Sequence, residues 1–387
     1  MSFSWISYVV LSIPPLLLLL RSYKDSRRHV SLPNPLGQCQ RKVTRNSPNP
    51  SLVLTLRYRR WSWKQMFRNP GFGYIAICAS LLSLCTPPVA HALVIMARPR
   101  PASSQLANRK STDAYLKGRV VWITGASSGL GEQLAIRAAE GGAEGLIISG
   151  RREEALERVR KECIAASPSQ SEGFVRMLPF DVGDLEGVGE EAKKALREFG
   201  RVDVLVLNAG VSTRASVEET SLDVDKRVMA VNYLGCVGLA KGVLGDMVGQ
   251  GKGHFVVINS VQGRFGVPFR ASYAASKHAL VGFFDCLRAE VAHRGVLVTT
   301  VFPGYIQTSL SMNALTGDGS EHARMDPTTA AGRDPREVAG VVWDATANEL
   351  NELVIADVKV RIALLLRALA APRLFKIMAK RALKRND

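Results

Sequence analysis

Residues 120–131 read VVWITGASSGLG: an apolar run, then a glycine-rich turn, then the opening of a helical pattern. Five such residues without polar alternation mark a strand covered on both faces, as in a parallel sheet. In the turn, glycines allow a sharp bend and let backbone N–H groups and the positive end of a helix approach a pyrophosphate. A lone glycine motif says little, but here strand, turn and helix come in the required order. The expected diphosphate cradle is Thr124, Gly125, Ser127, Ser128, Gly129, Leu130 and Gly131.

Outward from this stretch, short apolar runs alternate with helical patterns. Strands are predicted at 120–124, 146–149, 175–180, 204–207, 255–259, 296–302 and 353–356, and helices at 129–140, 153–165, 184–199, 224–247, 272–293 and 335–347. This alternation predicts an α/β fold: a Rossmann-type, doubly wound, parallel sheet of seven strands spanning residues 116–358.

About twenty residues after the glycine turn the second strand closes on Ser149-Gly150-Arg151-Arg152. A reader of a ribose 2'-hydroxyl needs Asp or Glu there, whereas an arginine pair suits the 2'-phosphate of NADP(H), with Arg151 the expected contact. The alternative is two solvated arginines at a helix start.

Hydride reduction of a carbonyl needs a proton donor at the nascent alkoxide. Tyr273 and Lys277 stand four residues apart, hence on one helix face, and a cation beside a phenol stabilises the phenolate. Ser260, at the end of the fifth strand, is placed to hydrogen-bond a substrate carbonyl. Asn232 sits mid-helix, where its carboxamide is expected to hold a relay water reaching Lys277. Two hydroxyls then stand where a Lewis acid would, so no metal is expected. Each residue alone has a dull explanation; all four in order behind the glycine turn do not.

Residues 116 to about 310 resemble the short-chain dehydrogenase/reductase family throughout, through the T-G-x-x-x-G-x-G turn, Asn208-Ala209-Gly210 and Tyr273-Ala274-Ala275-Ser276-Lys277. Leu207 replaces the first Asn of the family's N-N-A-G element. The resemblance implies that Asp181 and Val182 meet the adenine edge, that Lys277 also binds the nicotinamide ribose, and that Pro303, Gly304, Ile306 and Thr308 meet the nicotinamide side. A narrower likeness within the family runs through DVDKRVMAVNYLG (223–235), PFRASYAASKHAL (268–280) and PGYIQTSLSMNALTGDGS (303–320). It implies a single-pass membrane enzyme of the endoplasmic reticulum or peroxisome that reduces a lipid ketone, acyl- or alkyl-dihydroxyacetone phosphate being one candidate. A 3-ketosphinganine, retinal or steroid ketone reductase and a non-catalytic lipid-binding scaffold remain rivals, and a homodimer stays open. For a phosphorylated substrate, Arg214 and Arg270 are the expected cations. Residues 309–333 are expected to form a substrate lid.

The flanks read differently. Residues 1–70 hold twelve Lys/Arg against one acid, so most of the formal charge of +17 lies there, and no nucleic-acid motif accompanies it. This extension reads as a targeting or disordered segment. Residues 71–97 carry no formal charge and exceed the roughly 20 residues a helix needs to span a bilayer, although Pro87 and Pro88 interrupt them. A transmembrane or signal-anchor segment is expected there, and 98–115 as a linker. Residues 359–387 mix Leu, Phe, Ile and Met with Arg and Lys as a basic amphipathic helix does, broken near Pro372, and suit either a membrane interface or a protein face. Six scattered cysteines without metal-ligand spacing read as reduced thiols.

Overall fold

The structure is a computed structural model that describes residues 111–169 and 171–383. The expected basic extension, the expected membrane segment and residues 98–110 of the expected linker lie outside the described residues. A short helix α1 (Thr112–Leu116) leads into β1 (Val120–Thr124), α2 (Gly129–Glu140), β2 (Gly145–Gly150), α3 (Glu153–Ala166) and β3 (Val175–Pro179). The second half runs α4 (Val188–Phe199), β4 (Val204–Leu207), α5 (Leu222–Gly249), β5 (Gly253–Ile258) and α6 (Ala271–Val291). It closes with β6 (Val296–Pro303), α7 (Pro327–Ala330), α8 (Pro335–Ala347), β7 (Glu352–Ile355), α9 (Val358–Leu369) and α10 (Ala371–Leu383).

All seven strands pair in parallel in the order β3-β2-β1-β4-β5-β6-β7. Because side chains alternate across a strand, β1 feeds both cores. Val121 and Ile123 pack with Leu134, Val159, Val338 and Trp343 from α2, α3 and α8. Val120 and Trp122 pack with Ala192, Leu239, Val243 and Phe284 from α4, α5 and α6. The loop after β1 therefore leaves towards one face and the loop after β4 towards the other. Between them a crevice opens at the carboxyl ends of the strands, where α/β sheets bind ligands. By length and composition α5 could cross a membrane, yet Leu239, Val243 and Met247 spend its apolar side on the sheet.

Where the elements depart from the pattern, polar groups decide. The helix expected from Asp184 begins at Val188, since Asp184 serves as a turn residue accepting from the Gly187 and Val188 N–H groups. α5 starts earlier than its apolar periodicity because Ser221 caps it through the Val224 N–H. Helix α1 falls in the expected linker but belongs to the domain: Thr112 donates to Asp344 of α8 at 2.6 Å, and the Tyr115 hydroxyl lies 2.9 Å from His254 Nδ1. His254 Nε2 is 2.9 Å from Thr299 Oγ1. Burial, with Arg119 adding to it, pushes this imidazole down to about 3, so it stays neutral and its ring nitrogens serve the two hydroxyls.

Candidate active site

The glycine turn is built from backbone approaching backbone. Gly125 and Gly129 adopt φ of +65° and +61°, the left-handed region that favours glycine. A Cβ on Gly131 would lie 2.2 Å from the Gly125 carbonyl oxygen and 2.4 Å from Asn208 Nδ2. That space is full because Asn208, at the end of β4, donates to the Thr124 and Gly125 carbonyls at 3.0 and 3.1 Å. Thr124 Oγ1 accepts from the Asn208 and Ala209 N–H groups, so the ends of β1 and β4 are tied together. Asn208 thus shapes the turn from beneath. Ser128 precedes α2 without capping it, which leaves the first N–H groups of that helix to an anionic ligand.

At the adenosine end, Arg151 and Arg152 are exposed and line the crevice with Asp181 and Val182. The turn of β2 carries no carboxylate, but the fold brings one from β3: Asp181 Oδ2 stands 3.9 Å from Arg151 Nη1. Gly210, Pro303, Gly304, Ile306 and Thr308 line the same crevice. The Thr308 methyl sits where a Cβ on Gly129 would come within 3.0 Å, so the loop after β6 lies directly on the glycine turn.

Ser260, Tyr273 and Lys277 meet in this crevice, each nearly buried. Ser260 Oγ accepts from the Gln262 N–H at 3.1 Å, which leaves its own hydrogen to donate. Lys277 Nζ donates to the Ile258 carbonyl at 2.9 Å and lies 5.8 Å from the centre of the Tyr273 ring. Asn259, read from sequence as no more than a strand end, fixes this corner. Its Oδ1 accepts from the Ser260 N–H at 2.7 Å and its Nδ2 donates to the Lys277 carbonyl at 3.0 Å.

Asn232 is held more tightly than its place in the sequence suggested. It is fully buried on a π-helical turn, Ala230–Leu234, inside α5. Its Oδ1 accepts from the Val211 N–H at 2.7 Å, and its Nδ2 donates to the Val211 carbonyl at 2.8 Å and to Ser276 Oγ at 2.9 Å. Both amide hydrogens are spent on the fold, which positions its neighbours and leaves Oδ1 as the carboxamide atom with a lone pair to offer a relay water. Ser276 in turn donates to the Tyr273 carbonyl at 2.8 Å, so the chain beyond β4, α5 and the catalytic helix α6 are laced together.

The two arginines expected to meet a phosphate are tied into the fold. Arg214 and Arg270 both line the crevice and are buried, and they share one carboxylate, which leaves the trio a net positive charge. Asp326 Oδ2 lies 2.6 Å from Arg214 Nη2 and 2.9 Å from Arg270 Nη2. Asp326 belongs to the segment 309–333, which is stitched across the loop after β4 by the Leu315 N–H to Ser212 carbonyl and Arg214 N–H to Leu315 carbonyl bonds, each 2.8 Å. This segment, expected to be a lid, is therefore held down by ionic and backbone bonds. Tyr305, absent from the sequence reading, receives bonds from Arg270 and from Arg381 of α10, each at 3.1 Å. Burial alone would raise its phenol, but these two guanidinium groups hold it below the ordinary value. Gln262 is a further residue the sequence did not single out: it lines the crevice, and its Oε1 is buried without a hydrogen-bond partner among the described residues. Position two residues after Ser260 was the only signal that could have found it.

The short chain dehydrogenase family model matches residues 119–318. The chain belongs to the short-chain dehydrogenase/reductase family and is an NAD(P)(H)-dependent oxidoreductase. It is 46% identical over 272 residues to dehydrogenase/reductase SDR family member 7B of Bos taurus, covering 70% of this chain and 83% of that protein. It is 45% identical over 269 residues to dehydrogenase/reductase SDR family protein 7-like of Drosophila melanogaster, covering 70% and 82%. Among solved structures it resembles an NADP-bound putative gluconate 5-dehydrogenase of Beutenbergia cavernae (31% identity, TM-score 0.54, 62% of this chain and 96% of that one). It also resembles an alcohol dehydrogenase of Thermococcus sibiricus complexed with 5-hydroxy-NADP (28%, TM-score 0.53, 62% and 97%).

Proposed function

We propose that the chain is a membrane-associated, NADP(H)-dependent reductase of a ketone carried on a lipid. The observation that carries this reading is the two-sided crevice. Val261, Phe265, Val267 and Val360 line it as apolar residues, Arg214 and Arg270 as cations, and Ser260, Tyr273 and Lys277 line the same space. An amphiphilic ketone fits such a site better than a small polar one.

The glycine turn and the uncapped start of α2 suit a pyrophosphate, and the arginine pair after β2 suits a 2'-phosphate. The cofactor, when bound, supplies the hydride. Ser260 Oγ–H donates to the ketone oxygen and Tyr273 gives its phenolic proton to the alkoxide. Lys277, pinned by the Ile258 carbonyl, provides positive charge beside the phenol and contacts for the ribose. Arg151→Ala is expected to reduce the preference for NADPH over NADH by roughly tenfold to a hundredfold, the range of one charge-assisted contact. An unchanged ratio of kcat/KM values would remove the 2'-phosphate role.

Anchoring through residues 71–97 and a place in the endoplasmic reticulum, or else the peroxisome, complete the proposal. It rests there on the uncharged stretch in the sequence. The decisive assay follows NADPH oxidation by the purified full chain in detergent against acyl-dihydroxyacetone phosphate, 3-ketosphinganine and a short water-soluble ketone. Turnover confined to the short ketone sinks the lipid reading.

A further inference from the structure

The C-terminal helices present a surface that the other described residues leave uncovered. From Val358 to Leu383 the sequence holds seven Lys/Arg and no Asp or Glu. One side of the pair is committed inward: Leu374 is 1% exposed in a cluster with Val261, Phe265, Phe302 and Ala356, with Val360, Leu364 and Met378 packed against it. Away from that cluster, Ile362, Phe375, Ile377 and Leu383 stay about half exposed or more, at 51%, 56%, 49% and 67%. These apolar groups stand among cations, and the Arg367 guanidinium lies 5.6 Å from the centre of the Phe375 ring. The same helices wall the catalytic crevice, since Val360 and Arg381 line it and Arg381 donates to Tyr305.

We infer that the outer side of α9 and α10 docks on an anionic lipid bilayer and holds the mouth of the crevice against it. Basic residues interleaved with exposed apolar ones match the acyl boundary and the negative headgroups together. A second copy of this chain is the wrong partner, because a self-packed face would set its exposed cations, Arg373, Lys376 and Lys380 among them, against their own copies. The docking surface stands apart from the substrate assignment; only its use for substrate delivery rests on the lipid-ketone reading.

The test uses the full chain in nanodiscs of phosphatidylcholine alone, or mixed with phosphatidylserine at about three to one. Amide hydrogen exchange across residues 358–383 is expected to slow in the anionic discs only. One cation near such a surface is worth roughly a fivefold factor, so R373E/K376E/K380E should shift the docked equilibrium by about a hundredfold and abolish the slowing. F375Q/I377Q should weaken the slowing through the apolar half of the contact. NADPH binding, unchanged in both variants, reports that the domain is folded. Equal exchange in the two lipids, or wild-type slowing in the triple variant, overturns the proposal. Protection that depends on protein concentration and not on lipid charge also overturns it, in favour of a second copy. For delivery, the triple variant should lose about tenfold in kcat/KM on a bilayer-embedded ketone and nothing on a water-soluble one. A wild-type chain that docks but turns over no lipid ketone fails the function reading and leaves the docking surface standing.

Discussion

The two walls of the crevice are made of different material. On the nucleotide side, β1, the glycine turn and the end of β4 meet through backbone, with Thr124 and Asn208 bonding carbonyl and N–H groups and Gly131 admitting no Cβ. On the substrate side two backbone bonds at Leu315 are joined by long side chains: Arg214 and Arg270 on Asp326, and Arg381 with Arg270 on Tyr305. Backbone contacts tolerate few replacements and suit a ligand that does not vary. Side-chain contacts can be rearranged at modest cost, which suits a lid and a substrate that must come and go.

The largest effect should fall where the walls meet. Tyr273→Phe removes only the proton donor, so kcat is expected to drop by about a thousandfold while NADPH titration stays as in the wild type. A variant retaining a tenth of the activity would end the assignment. Gly131→Ala probes the backbone wall. With the Gly125 oxygen 2.2 Å from the new Cβ, a loss of about 2–3 kcal/mol in denaturant unfolding and NADPH binding weaker by roughly thirtyfold are expected. Near-normal binding would show that the turn can yield.

Asp326→Asn probes the side-chain wall. It keeps the shape but takes the carboxylate from two buried guanidinium groups, so tryptic cleavage within residues 309–333 should quicken by about tenfold. Global unfolding should move less than for Gly131→Ala; the opposite order would reverse the contrast drawn here. Gln262→Leu should be the smallest. If its unpartnered Oε1 serves substrate, KM rises about threefold to tenfold. An unchanged KM with a more stable fold would instead mark it as a bystander.

The same contrast governs what could be read in advance. Strand β1 was legible to the residue, because burial on both faces leaves an unbroken apolar run. Tyr273, Ser260 and Lys277 were legible as a spaced set, and the structure brings them into one crevice. The contacts of Asn232 were not, since nothing in VNY reports a π-helical turn that ties the carboxamide to Val211 and Ser276. Arg214 and Arg270 were picked out as cations, but their partner lies 112 and 56 residues away, in a segment with no periodicity to place it. Asn259, Tyr305 and Gln262 carry no local signature either.

From its sequence alone this protein's fold, its dinucleotide turn and the spacing of its proton donor followed, because those depend on neighbours along the chain: periodic burial, glycine φ angles and one helical turn between Tyr273 and Lys277. Only the tertiary structure decided how the buried charges are paired, that the segment 309–333 is tied down, and that the C-terminal helices border the crevice, because partners distant in sequence meet only when the sheet has closed the distance between them.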